Sequence, residues 1–500
     1  MKRTLCLLLV FCFLIPSIAS CAESTSNNDT ETTQNTVSSP NDTSAEETEV
    51  SNEKILPNLP EKNYNDADFT IYVSSNAEYG QVKDDFTAEE ITGEPINDSR
   101  YNRNSLIEET YGVKLNVIQA SGLGDGVGTN EIKRSVTSAD FAYDFAMLAG
   151  YSTCKLASQN ILMDINKVPY INLEQPWWDQ RANHDLTIMD KLYYTTGDIS
   201  TADNEATYCI MFNKSLIQNY VMDDPYQMVS DGTWTIDNYA AMVTQVSDDL
   251  DGNGVYDTND RFGALIWDDS IMGVINCSGE KCASVVDGKV ELTLYSDKTV
   301  SILEKYFSFA LDKQVSYAYQ RSNWDDKLLV NMFQSNQALF IMQLLQLIPK
   351  LREMDADFGI LPYFKYSEEQ ESYYNTVGSW HSVFYCVPKV QAEIERTGII
   401  TEALAAESMY TVTPAYYEVS LKDKISRDEE SAKMLDLIFE TRIYDLGWYY
   451  AFGGYNESVM NLFRNYQSDF TSMYKMAEKM AKKTVERLNK EFAEQDEENN

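Results

Sequence analysis

Residues 249–260 read Asp-Leu-Asp-Gly-Asn-Gly-Val-Tyr-Asp-Thr-Asn-Asp. Side-chain oxygens recur along this stretch: Asp249, Asp251 and Asn253 stand at loop positions one, three and five, Asp257 at nine and Asp260 at twelve. Gly254 occupies position six, where the chain must turn sharply, and Val255 offers its backbone carbonyl at seven. Hard oxygen donors at this spacing wrap one divalent cation, and the cation offsets carboxylates that otherwise repel one another. The pattern predicts a calcium loop. Asp260 replaces the usual glutamate at position twelve, and its shorter side chain makes bidentate ligation harder. A helix is expected to enter the loop and a strand to leave it. Without a paired exit helix the expected role is a structural clamp, not a sensor that opens.

The signatures of catalysis are missing. The chain holds two histidines, His184 and His381, and histidine is the usual proton shuttle near neutral pH and a common zinc ligand. There is no HExxH, no GxSxG and no P-loop. Gly122, Gly124, Gly126 and Gly128 have a spacing that fits neither the dinucleotide nor the phosphate loop; they read as a flexible loop. No carboxylate pair stands in a recognisable glycosidase context. Against 78 acidic residues there are 40 basic ones, a formal net charge of −38. That balance argues against nucleic acid as a partner and against electrostatic docking on anionic lipid.

Five hundred residues are too many for one core, so two or more lobes must position these groups. Lys2 and Arg3 precede an apolar run, residues 5–15, that is short for a membrane span. The following Ile18-Ala19-Ser20-Cys21 resembles the lipobox of bacterial lipoprotein signal peptides. That resemblance implies that residues 1–20 are removed and that Cys21 carries lipid. The body is then held at the extracellular face of the cytoplasmic membrane by its lipid alone. Residues 21–64 hold almost no large apolar side chains and read as a flexible acidic tether. No later segment reads as membrane-spanning. Five cysteines lie in the body: Cys154, Cys209, Cys277, Cys282 and Cys386. Cys277 and Cys282 flank a turn-like Ser-Gly-Glu-Lys and could bridge; the others read as buried thiols.

Strands are expected at residues 69–74, 113–118 and 141–148, with helices at 101–111 and 131–138 between them, and a further strand at 192–196. Alternating strands and helices imply a mainly parallel α/β sheet, with a site beyond the carboxyl ends of the strands. A second α/β set follows. Thr235 caps a helix, strands lie at 262–267, 338–341 and 358–361, and helices at 328–333 and 343–351. Leu462, Phe463, Tyr466, Phe470, Met473 and Tyr474 stand at helical spacing and open a long C-terminal helix.

An ordered series of short matches adds to this. Glu109-Thr-Tyr-Gly-Val-Lys-Leu115, Pro176-Trp-Trp-Asp179 and Leu192-Tyr-Tyr-Thr-Thr-Gly-Asp198 come first. Phe212-Asn-Lys214, Gly232-Thr-Trp-Thr235 and the calcium-like loop ending in Arg261-Phe-Gly263 follow, then Phe358-Gly-Ile-Leu-Pro362 and Thr413-Pro-Ala-Tyr-Tyr417. With the lipobox and tether, the series resembles the extracellular solute-binding lipoproteins of bacterial ABC importers, the sugar-type group. The resemblance implies a two-lobed α/β fold of the periplasmic-binding-protein type II, with hinge crossings and a helical C-terminus. Lobe one would hold residues 65–207 and 378–440, and lobe two residues 208–377 and 441–500. The chain would cross near residues 207–213 and return near 373–379. It implies no catalysis: a monomer would capture a carbohydrate between the lobes and deliver it to the permease transmembrane subunits.

Sugars present apolar faces and hydroxyl rims, which suit aromatic rings and carboxylates respectively. Candidates near the crossings and strand ends are Tyr373, Tyr374 and Trp380 on the return segment, and Asp198 after Gly197. Trp267 and Asp268 end the strand beyond the metal loop, and Arg321 and Trp324 stand in a polar stretch. Trp177 and Trp178 read as packing residues. Cations are sparse near these positions apart from Arg321, which favours a neutral oligosaccharide. A peptide, a uronate or a surface glycoside hydrolase remain the alternatives.

Overall fold

The computed structural model describes residues 54–74, 84–120, 125–351, 354–418 and 428–497. The signal peptide, Cys21, residues 21–53 of the tether, Gly122 and Gly124 lie outside the described residues.

In chain order the strands are β1 (Ala67–Ser74), β2 (Val113–Gln119), β3 (Phe145–Ala149), β4 (Tyr208–Asn213), β5 (Phe262–Ile266), β6 (Ala283–Val286), β7 (Lys289–Leu292), β8 (Ser316–Ala318), β9 (Ala338–Leu344), β10 (Phe358–Leu361), β11 (Asn375–Thr376), β12 (Val383–Cys386) and β13 (Arg442–Ile443). β1 runs parallel to β2 and β3, and β12 closes on β3 antiparallel, giving a four-stranded sheet. β5 lies parallel to β8 and β9, and β4 and β10 complete a five-stranded sheet by antiparallel pairing. Helices cover these sheets, which is why β3, β4, β5, β9 and β12 are buried along their whole lengths rather than alternating. The helix Pro95–Tyr111 shows how sharply the local sequence acts. Pro95 opens it, Glu94 accepts from the Ile96 and Asn97 N–H groups, and Gly112 in the left-handed region ends it and launches β2.

Each sheet turns the carboxyl ends of its parallel strands and the amino end of one antiparallel neighbour to the same edge. In one, Ala149 of β3 pairs with Val383 of β12; in the other, Leu344 of β9 pairs with Tyr208 of β4. The segments that join the sheets run side by side. Thr207 bridges Val377, the Gly378 N–H donates to Ala206 O at 2.7 Å, and β11 lies parallel to β13.

Several expectations need correction. The third strand begins at Phe145, not Phe141, because Ala139 and Phe141 take positive φ values in a turn. Residues 192–196 make an isolated bridge from Thr195 to Tyr385, not a strand. Beyond Leu344 the expected helix is a 3-10 turn, Leu345–Leu351, holding Pro349, which has no N–H to donate. The C-terminal apolar residues divide between the helices Tyr455–Arg464 and Phe470–Glu497. Gly126 and Gly128 lie in the helix Asp125–Ser138, not in a loop; a Cβ on Gly128 would come 2.9 Å from Leu148 Cδ2, so glycine allows this helix to approach β3. The helix Glu429–Glu440 falls within the range given to lobe one, yet it packs on β10 of the five-stranded sheet. Lys214 and Tyr226 anchor it there through Asp428. Cys277 and Cys282 are not bridged: the Cys277 thiol donates to Val274 O, Cys282 sits against Gly447, and all five body cysteines are buried and free.

Candidate functional site

β3 runs straight into the helix Gly150–Ser158. Tyr151, Cys154, Lys155 and Ser158 are spaced to share one face of it. Opposite, the helix Phe470–Glu497 presents Thr484, Arg487, Leu488 and Glu491 at the same spacing. These two faces form the walls of a cavity of about 390 Å³, within the range of roughly 300–1,000 Å³ usual for small-molecule sites. Tyr449, Tyr450 and Phe452 also line it, together with Trp380 from just before β12 and Asn456 and Glu457 from the helix Tyr455–Arg464.

Side-chain contacts lock this geometry. Trp380 meets Tyr151 edge-to-face with ring centroids 5.9 Å apart and remains 38% exposed. Tyr151 Oη lies 3.0 Å from Ser379 Oγ and accepts from Asn456 Nδ2 at 3.1 Å. At the carboxyl end of β5, the Trp267 ring packs on His381 at 5.4 Å and on Tyr319 at 5.2 Å. Asp268, almost wholly buried, accepts from Arg464 Nε, while Arg464 Nη1 donates to Glu457 Oε2 at 2.9 Å. One guanidinium thus joins a strand-end carboxylate to a carboxylate on the cavity wall.

Trp380, Trp267 and Asp268 therefore fall in one neighbourhood. Trp324 follows β8, is 52% exposed and accepts the Tyr319 hydroxyl on its carbonyl, which ties it to the Trp267 cluster. The other candidates lie elsewhere. The Tyr373 hydroxyl donates to Val229 O at 3.1 Å inside the core, and the Tyr374 ring packs over Gly279. Arg321 stacks on Tyr317 and donates to Tyr256 O at 2.6 Å, bracing the segment around the calcium-like loop. Asp198 accepts from Thr413 Oγ1 at 2.7 Å, and burial pushes its carboxyl up to about 7. Near it, Arg442 pairs with Asp179 at 2.6 Å and Asp203 at 2.9 Å. The sparse-cation argument is also corrected: Arg321 points away, whereas Lys155 and Arg487 line the cavity. Sequence reasoning missed Tyr151, Lys155, Asn456, Arg464 and Arg487. Only Tyr151 carried a signal, its place directly after a strand expected to point at the site.

The metal loop lies apart from these contacts. Asp249, Asp251 and Asp260 each offer a carboxylate oxygen, and these oxygens lie within 4.8 Å of one another. The Gly254 N–H donates to Asp249 at 2.8 Å with Gly254 at φ +79°, and Val255 N–H donates to Asn253 at 2.6 Å. Asp260 is fully buried and accepts from the Leu250 and Asp257 N–H groups. The bridge between Asp248 and Arg261 closes the loop, and β5 leaves it. Three converging carboxylates on such a turn fit one hard cation. Asp257, by contrast, accepts from the Asn259 N–H at 2.8 Å.

No protein-family model matches the chain, and no curated protein matches it by sequence. Solved structures do match. An ABC substrate-binding protein of Listeria monocytogenes, in complex with cycloalternan, aligns over 86% of this chain and 99% of its own at 13% identity, with a TM-score of 0.53. The GacH receptor of Streptomyces glaucescens, solved unliganded and with acarbose, covers 85% and 98% at 11% identity and 0.52. A cyclo/maltodextrin-binding protein complexed with maltotetraose covers 84% and 96% at 10% identity and 0.56. These likenesses define the fold: the two-lobed α/β fold of ABC substrate-binding proteins, with a helical C-terminus. The three neighbours are binding proteins and receptors, not enzymes.

Proposed function

We propose that this chain is the substrate-binding lipoprotein of an ABC importer and that it captures an extracellular carbohydrate in the cavity beside Trp380. The observation that carries the reading is the pairing of exposed ring surface with hydrogen-bonding side chains. The Trp380–Tyr151 pair offers an apolar edge, and Asn456 and Glu457 line the cavity beside it as hydroxyl partners. The neighbours solved with cycloalternan, acarbose and maltotetraose share this architecture. The two sheets form two lobes, and closure around the sugar creates the form that the permease transmembrane subunits read. A ligand drives closure only by its preference for the closed state.

Lipid on Cys21 holds a monomeric body at the extracellular face of the cytoplasmic membrane, with residues 22–53 as its tether; the expected tether end at 64 is too late, since the Ile55 N–H donates to the Tyr410 hydroxyl at 2.8 Å and the Tyr64 N–H to Tyr111 O at 2.8 Å. Calcium on Asp249, Asp251, Asn253, Val255, Asp257 and Asp260 acts as a structural clamp at the start of β5. Thermal melting in the presence of oligosaccharides, peptides and amino acids tests the function. Stabilisation by saccharides alone supports it. Stabilisation by peptides alone, or turnover of a glycoside without a bound state, refutes it.

A further inference from the structure

We infer that the saccharide is acidic: a uronate carboxylate sits between Lys155 and Arg487, one cation from each wall of the cavity. The inference rests on the carbohydrate reading above and names the class of sugar.

The charges that line the cavity carry it. Glu457 is engaged by Arg464 at 2.9 Å, and Glu491 faces Arg487 at 3.6 Å. Asp268 occupies the other side of Arg464. On the lining itself two carboxylates, Glu457 and Glu491, stand with two cations, Lys155 and Arg487, while Arg464 and Asp268 lie behind it. That is a balanced site in a chain of net charge −38. Among the described residues Lys155 has no ion-pair partner. Burial raises the Glu491 carboxyl above its ordinary value, with Arg487 opposing.

Closure makes this arrangement decisive. As the lobes shut and water leaves, an unpaired ammonium beside a neutral sugar loses hydration without gaining a counter-charge. A carboxylate on the sugar supplies that charge, and the planar guanidinium of Arg487 suits it in geometry. The ring face of the same residue can still lie on Trp380.

The test is isothermal titration of the full chain with trisaccharides of galacturonic, glucuronic and mannuronic acid, each beside its fully methyl-esterified form. Each pair shares rings, linkages and hydroxyls, and differs at the carboxyl, which the ester neutralises and caps with a methyl group. The expected result is that at least one free acid binds and that its ester binds at least about tenfold more weakly. Lys155→Met and Arg487→Met should each weaken the acid by about tenfold and the ester by far less. Added salt should weaken the acid selectively. Esters or other neutral oligosaccharides that bind as well as the acids would overturn the inference and leave the carbohydrate function standing. Failure of every saccharide, charged and neutral, would overturn both.

Discussion

Asn456 donates its side-chain amide to Tyr151 Oη at 3.1 Å across 305 residues of sequence. Tyr151 stands at the end of the four-stranded sheet, while Asn456 belongs to a helix that packs on the helix Ser270–Cys277, which follows β5 of the five-stranded sheet. This bond ties the two halves together at the edge of the cavity beside Trp380. Tyr151→Phe keeps the ring against Trp380 and removes the hydroxyl that Asn456 and Ser379 share. Global stability should fall by about 1 kcal/mol or less, whereas saccharide affinity falls about tenfold. Urea unfolding and calorimetric titration check the two separately.

Trp380 is a cleaner probe of binding. Its ring is 38% exposed, so its removal opens little core. Trp380→Ala should leave the melting midpoint within a few degrees of the parent and weaken saccharide binding by tenfold or more. A variant that binds the sugar unchanged would show that the ligand sits elsewhere.

The metal loop predicts a chelator effect. Calcium should raise the melting midpoint and a chelator lower it, because a cation that binds only the folded loop stabilises by mass action. Asp249→Asn with Asp251→Asn should abolish the difference between the two conditions. An identical midpoint in calcium and chelator would remove the clamp.

Buried carboxyls give the fold a pH dependence of unusual sign. Burial raises Asp198 to about 7, Asp203 to about 6 and Glu402 to about 7, the last despite a hydrogen bond from Trp178 Nε1. In the unfolded chain these groups titrate near ~4. Between those limits the folded state binds more protons, so this contribution to stability is full at low pH and is lost as pH rises through 6 to 7. The melting midpoint should be higher near pH ~5 than near pH ~8, and Asp198→Asn with Glu402→Gln should flatten that slope. An unchanged slope in the double variant would contradict the assignment.

Features set by local pattern were legible in the sequence. Residues 69–74 and 358–361 alternate or bury continuously and are strands; Thr235 caps its helix; the calcium-like loop has the turn its glycine demands. Trp267 and Trp380 stand where a strand end and a return crossing, both readable from short stretches, place them. Tyr373 and Tyr374 were misplaced because proximity in sequence does not fix which way a side chain points: one hydroxyl turns inward to Val229. The apolar run at 192–196 looked like a strand because burial alone makes such runs. Lys155, Asn456, Arg464 and Arg487 left no local trace, since they come together only when helices hundreds of residues apart are packed face to face.

The central claim is that this cavity binds a carbohydrate. Calorimetric titration of an oligosaccharide panel, free acids and esters together, into the parent chain and Trp380→Ala tests it most directly. The account predicts saturable one-to-one binding by the parent that weakens at least about tenfold in the variant, with the sugar recovered intact. Binding of no saccharide, equal binding by both proteins, or hydrolysis of the sugar would contradict it.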